Sequence, residues 1–101
     1  MIITDKNFEN LIANNNVVMK LGAVWCGPCR QLDPIIKKME AEENKFIVGS
    51  VDIDENSVIS TRYGIRNIPT ILFFKEGQLV DKIVGNVSEI QIREKITTAL
   101  S

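Results

Sequence analysis

The only two cysteines of the chain, Cys26 and Cys29, are separated by two residues. They follow Trp25 directly and enclose Gly27 and Pro28, at the point where a strand-like run gives way to a helix-like run. Two thiols at this spacing in a first helical turn come within disulfide reach, and the unpaired N–H groups and positive dipole end of the helix stabilise the first thiolate. A disulfide across so small a loop restricts the unfolded chain little. The spacing therefore predicts a redox-active dithiol rather than a structural crosslink.

A metal site is the main chemical alternative, because a CxxC pair is also half of a zinc or iron–sulfur site. The chain has no further cysteine and no histidine, so one copy cannot supply four soft ligands. Only a dimer that shares two such pairs could do so. The absence of histidine also excludes a Cys–His dyad. We therefore predict no metal and no cofactor other than the cysteine pair itself.

Length and composition predict one domain over residues 1–101 with ordinary globular character. The chain is 45% hydrophobic and 25% charged and has a formal net charge of −1, so no basic excess favours nucleic acid or an anionic membrane as a partner. At the start, Met1 to Ile3 run directly into Thr4 and Asp5, without the charged and apolar regions of a signal peptide. We expect a cytoplasmic protein.

The first half of the chain reads as alternating helices and strands. Thr4 or Asp5 can cap a first helix that ends at the asparagines 14–16, and residues 17–24 form a run that is apolar on both faces except at Lys20. From Cys29 onward, apolar residues at helical spacing predict a longer helix with Pro34 inside it. The cysteines should therefore lie at the junction between a central strand and a helix.

The second half continues with a strand over residues 46–53 and a short helix over residues 55–63. Two apolar runs, 71–74 and 79–84, have hairpin spacing and should be antiparallel. Ser88, with Gln91 three residues later, is typical of a capping box that starts a last helix. This order predicts a mixed sheet between helices.

Several motifs together resemble the thioredoxin family. They are Ala-Val-Trp-Cys-Gly-Pro-Cys-Arg at residues 23–30 with Pro34 after it, Tyr-Gly-Ile-Arg at 63–66, Ile-Pro-Thr at 68–70, Phe-Lys-Glu-Gly at 74–77 and Val-Gly at 84–85. The resemblance covers almost the whole chain. It implies the thioredoxin fold, an α/β architecture with a central five-stranded mixed sheet in the strand order 1-3-2-4-5, flanked by four helices.

The resemblance also implies a thiol–disulfide oxidoreductase that reduces protein disulfides by dithiol–disulfide exchange. In this mechanism Cys26 is the exposed attacking thiol and Cys29 the buried resolving thiol, so the protein is an electron carrier in cell redox homeostasis. The implied partners are a thioredoxin reductase and disulfide-containing substrates such as peroxiredoxins or reductases. We expect a monomer.

A substrate-docking surface follows from the same motifs. Trp25 would offer an amphipathic shelf, and the small segment between the cysteines would leave the first sulfur accessible. Pro69 matches the cis-proline of the family, and the backbone beside it would pair with an extended substrate segment. The predicted docking residues are Trp25, Gly27, Pro28, Ile68, Pro69, Val84, Gly85 and Asn86.

The chain departs from the family pattern beside the cysteines. Lys20 stands where thioredoxins usually carry a buried Asp, and Ser50 stands where the Lys partner of that Asp is found. Gly22 occupies a position that is often aromatic, and Asn86 one that is often small and apolar. Lys20 is thus a candidate for redox tuning, as a general base for Cys29 or as a charge that stabilises a thiolate. Alternatively, its stem packs in the core and its ammonium reaches water without a chemical role.

Two other functions therefore remain open on the sequence. The first is a specialised redox carrier with few partners and a potential altered by Lys20. The second is a binding module that uses the thioredoxin fold as a scaffold.

Overall fold

The computed structural model describes residues 1–101, with four helices and four strands. The helices are α1 (Phe8–Ala13), α2 (Gly27–Ala41), α3 (Ser57–Arg62) and α4 (Glu89–Ala99). The strands are β1 (Val17–Gly22), β2 (Ile47–Asp52), β3 (Thr70–Lys75) and β4 (Gln78–Val84). None of the helices has both the length and the hydropathy that crossing a membrane requires.

The strands form one mixed sheet in the order β2-β1-β3-β4. Strand β1 pairs in parallel with β2 and antiparallel with β3, and β3 pairs antiparallel with β4. The mixed sheet and the antiparallel hairpin are therefore confirmed. All six residues of β1 are buried, as expected for a central strand covered on both faces.

The sheet has four strands rather than the expected five. The expected first strand is reduced to a single parallel bridge between Ile2 and Ser50, at the edge of the sheet beside β2. Backbone hydrogen bonds from Ile3 N to Ser50 O and from Ser50 N to Met1 O flank this bridge. The chain then turns at once, because Thr4 O accepts from the backbone of Asn7. The segment is too short to continue as a strand, although its place in the order is the expected one.

Successive side chains along each strand point to opposite faces of the sheet, so the core has one layer on each face. Met19 and Leu21 of β1 pack on the side of α1 and α3, whereas Val18 packs on the side of α2 and α4. Since successive strand residues face opposite sides, Lys20 and Gly22 share the side of Val18. The unusual residues of β1 therefore face α2, the helix that carries the cysteines.

The first helix begins later than the sequence predicts, whereas the last helix begins with the predicted capping box. Helix α1 begins after Asn7 rather than after Thr4 or Asp5. The Asp5 carboxylate instead accepts from the backbone N–H groups of Val58 and Ile59, at 3.1 and 2.9 Å, and so caps α3. At the start of α4 the capping box is confirmed: the Ser88 side chain accepts from Gln91 N, and the Gln91 side chain accepts from Ser88 N.

Candidate active site

The two cysteines are joined as a disulfide at the N-terminus of α2, with their Cα atoms 5.3 Å apart. Cys26 is the N-cap residue, and its Sγ accepts from the backbone N–H of Cys29 at 3.3 Å. Pro28 is the second residue of the helix, where the missing N–H costs no intrahelical hydrogen bond. The local sequence thus places Cys29 one turn into the helix, directly behind Cys26.

Burial distinguishes the two cysteines, but less strongly than expected. Cys29 is fully buried, whereas Cys26, expected to be exposed, has only 7% of its surface accessible. The reason is local: Cys26 packs with Ala23 and Cys29, and Ile53 and Ile68 close over this small cluster. The residues on either side of Cys26 are exposed, so Cys26 lies in a shallow depression of the surface and not deep in the interior.

Trp25 forms an exposed shelf beside this depression. The residue is 66% exposed, and its Nε1 donates to Asp54 Oδ2 at 2.7 Å. Sequence reasoning missed Asp54. It lies just after β2, the parallel neighbour of β1, so its place at the same edge of the sheet was a usable signal. The hydrogen bond fixes the orientation of the indole.

Opposite the helix start, Ile68 and Pro69 are joined by a cis peptide bond. The carbonyl of Pro69 accepts from Gly85 N at 2.8 Å, so this carbonyl is already engaged. Neither the N–H nor the carbonyl of Ile68 has a hydrogen-bond partner within the chain.

Several of the predicted docking residues lie close to one another. A groove of about 260 Å³ brings together Pro28, Pro69 and Asn86. Val84 is half-exposed and lies opposite Thr70, the residue that follows Pro69. Gly85 has a φ of +92°, a backbone conformation that favours glycine, and links Val84 to the groove.

Lys20 lines a different cavity, which shares no residue with this groove. It is only 6% exposed, and its Nζ donates to Asp33 Oδ1 at 2.6 Å. Ser50, its neighbour in the β1–β2 register, offers no charge. Sequence reasoning missed Asp33, although it lies four residues after Cys29 and therefore on the same face of α2.

The carboxylates with shifted pKa values belong to ion pairs away from the cysteines. Hydrogen bonds from Arg93 and Lys38 lower the pKa of Glu89, and a hydrogen bond from Lys95 lowers the pKa of Asp81. These pairs connect α4 to α2 and to β4 and do not contact the cysteines. No three His, Cys, Asp or Glu side chains are grouped closely enough to hold a metal ion.

Known proteins match this chain over nearly its whole length. The family model described as Thioredoxin matches residues 1–98. The thioredoxin of Chlorobaculum thiosulfatiphilum is 42% identical over 96 residues, which cover 92% of this chain and 89% of that protein. The thioredoxin of Chlamydia pneumoniae is 42% identical over 84 residues, which cover 83% and 82%.

Solved structures agree with the sequence comparisons. A thioredoxin of Malassezia sympodialis superposes with a TM-score of 0.86 at 33% identity and covers 97% of this chain and 87% of that one. A mutant thioredoxin from Halobacterium salinarum superposes with a TM-score of 0.88 at 29% identity and covers 99% and 88%. With a cysteine pair of the Trp-Cys-Gly-Pro-Cys type in place, the chain belongs to the thioredoxin family and is a thiol–disulfide oxidoreductase that reduces protein disulfides through Cys26 and Cys29.

Proposed function

We propose that Cys26 is the attacking thiol and Cys29 the resolving thiol. The thiolate of Cys26 attacks a substrate disulfide and releases one substrate sulfur as a thiol. Cys29 then attacks the Cys26 sulfur, which forms the Cys26–Cys29 bond and releases the second substrate sulfur. The observation that carries this assignment is the difference in burial: Cys26 reaches the surface depression, and Cys29 lies fully buried behind it.

The docking surface proposed for the substrate is the rim of this depression. The unpartnered backbone of Ile68 supports pairing with an extended segment, because a free N–H and carbonyl on one residue are what an added strand requires. Trp25 and Val84 are exposed and supply apolar area to this surface. Gly27, Pro28, Pro69, Gly85 and Asn86 leave the space between these side chains open.

The general partners of the family are disulfide-containing proteins and a thioredoxin reductase. We propose that for this chain the substrates include peroxiredoxins or reductases, and that residues 1–101 act as one monomeric domain in the cytoplasm. In that setting the chain carries electrons for redox homeostasis with no cofactor besides its cysteine pair. No finding favours the two alternatives, a specialised carrier or a binding module.

Substrate trapping tests the assignment of the two thiols. The Cys29→Ser variant retains the attacking thiol but cannot resolve the mixed disulfide, so it should accumulate disulfide-linked partners. The Cys26→Ser variant and the double Ser variant are the controls and should trap none. Equal trapping by Cys26→Ser and Cys29→Ser would show that the roles are not divided as proposed.

A second experiment tests the docking surface. Val84→Asp places a charge at the rim and should raise the KM for reduction of insulin disulfides several-fold, while the rate with dithiobis(2-nitrobenzoate), a small disulfide, stays near that of the wild type. Val80→Asp is the matched control: Val80 is a similarly exposed valine of β4, about 13 Å from Val84 at the rise of a strand. Equal effects of both variants would refute the proposed surface.

A further inference from the structure

The space between Lys20 and Cys29 contains no side chain, because the residue between them is Gly22. A Cβ atom placed on Gly22 would lie 3.0 Å from Cys29 Sγ and 3.4 Å from Lys20 Nζ. The sulfur and the ammonium nitrogen therefore lie at most 6.4 Å apart. At such a separation a charge shifts the ionisation of its neighbour measurably, and more so where water is excluded.

The hydrogen bond with Asp33 indicates that Lys20 is charged. A contact of 2.6 Å between an amine and a carboxylate is typical of a charge-assisted hydrogen bond. The Lys20 side chain is almost completely buried, whereas the Asp33 side chain is 43% exposed. The pair thus places a positive charge in the interior, next to the sulfur, and the compensating negative charge nearer to solvent.

Other charged groups face the same region and must be considered in any pH dependence. Lys20, Gly22 and Asp33 line an open cavity of about 630 Å³. The remaining titratable or charged groups that line it are Arg30, Lys37 and Glu40 of α2, Asp52 of β2 and the amino-terminal Met1. The terminal amino group is itself paired with Glu40. Of these groups, Lys20 is the one whose side-chain nitrogen is among the three heavy atoms nearest to the Gly22 Cβ point.

We propose that the ammonium of Lys20 stabilises the thiolate of Cys29 during the resolving step, and that Asp33 positions this ammonium and partly offsets its charge. The inference rests on the proposed roles of the two cysteines. The Cys29 thiol loses its proton to solvent, and its thiolate attacks the Cys26 sulfur. The Cys26–Cys29 bond forms, the bond to the substrate sulfur breaks, and the departing thiolate takes a proton from solvent. Asp33 acts through Lys20 and is a positioning residue.

The experiment separates the two thiol steps with dithiobis(2-nitrobenzoate) as the probe. Reduced protein is mixed with a limiting amount of this reagent, and the release of the coloured thiolate is followed in a stopped-flow instrument between pH 5 and 9. The first release reports the attack by Cys26, and the second reports the attack by Cys29 on the mixed disulfide. Cys29→Ser should show the first release alone, which identifies the phases.

Two variants are expected to shift the second phase in opposite directions. Lys20→Met keeps the stem and removes the charge, so the pH midpoint of the second release should rise by about one unit. Below the midpoint, the rate of this release should fall about tenfold. Asp33→Asn keeps an oxygen that accepts from Lys20 Nζ but removes the negative charge, so the midpoint should fall. Lys38→Met is the matched control. It removes an exposed lysine of α2 that pairs with Glu89 of α4, so both phases should stay unchanged.

The directions of the two pH shifts distinguish the proposed role of Lys20 from two alternatives. If Lys20 only fills space, neither variant moves the midpoint. If the pair instead carries the proton away from Cys29, both variants slow the second phase. Either result overturns the inference while leaving the first release intact, whereas loss of the first release in the wild type would refute the proposed role of Cys26. Because Asp33 is partly exposed, Asp33→Asn keeps the test decisive even if Lys20→Met is poorly stable.

Discussion

Replacing Gly22 by alanine tests how tightly β1 packs against the cysteine pair. The added methyl group would meet both the Cβ and the Sγ atoms of Cys29 at 3.0 Å, which is closer than ordinary van der Waals contact. Cys29 is fully buried and tied to Cys26, so it has little freedom to move away. We therefore expect the substitution to destabilise the oxidised protein.

The magnitude follows from two opposing effects. Overpacking of a well-packed interior typically costs about 1–3 kcal/mol. Replacing glycine in a strand recovers about 0.5–1 kcal/mol, because the unfolded chain loses conformational freedom. The net expectation for Gly22→Ala is a loss of about 1 kcal/mol in the free energy of unfolding. For a domain of this size that corresponds to a decrease of about 4–8 °C in Tm.

Urea unfolding of the oxidised protein, followed by far-UV circular dichroism, measures this loss. Gly27→Ala is the matched control: a Cβ at Gly27, the first residue of α2, has no heavy atom within 4 Å. This control should unfold at the same urea concentration as the wild type or slightly above it. A Gly22→Ala variant that is as stable as Gly27→Ala would refute the close packing of Cys29 against β1.

Three further substitutions have defined expectations. Asp5→Ala should lower the free energy of unfolding by about 1–2 kcal/mol in urea unfolding, because it uncaps α3 at Ile59, and Asp5→Asn should lower it less. Ser88→Ala should cost about 1 kcal/mol in the same assay, since the capping box of α4 is lost. Asp81→Asn should cost less than 1 kcal/mol near neutral pH, as expected for a partly exposed pair. Because the bond from Lys95 lowers the pKa of Asp81, this difference should be complete above about pH 5 and vanish as the pH falls through the lowered value, in unfolding measured from pH 2 to 7.

The elements that the sequence predicts well are those whose signals are local. The run at residues 17–24 is apolar on both faces, and a strand buried on both faces is its simplest explanation. Ser88 and Gln91 lie three residues apart, so their capping box is visible without tertiary information. The cysteine spacing belongs to the same class, because two thiols in one helical turn need no distant residue to meet.

Most of the features that the sequence missed depend on distant contacts, and the short bridge at Ile2 is the exception. Asp5 caps a helix that begins more than fifty residues later, and nothing near Asp5 indicates this. The single bridge at Ile2 replaces a strand because the chain turns into α1 immediately afterwards, and that turn depends on contacts that Thr4 and Asn7 make with each other. Asp33 looks like one more polar residue of an amphipathic helix until β1 is placed beneath it.

Lys20 replaces the buried Asp that is usual in the family, yet its contact with Asp33 retains a pair of opposite charges at this position. A charged lysine in the interior is costly unless a partner neutralises it nearby. Ser50 cannot do so, and thus the carboxylate comes from α2 instead of from a strand. The helix that supplies this carboxylate also carries Cys29, so any movement of α2 moves Asp33 and the Cys29 sulfur together relative to Lys20. The charge balance of Lys20 and the position of the resolving thiol are therefore set by one rigid element.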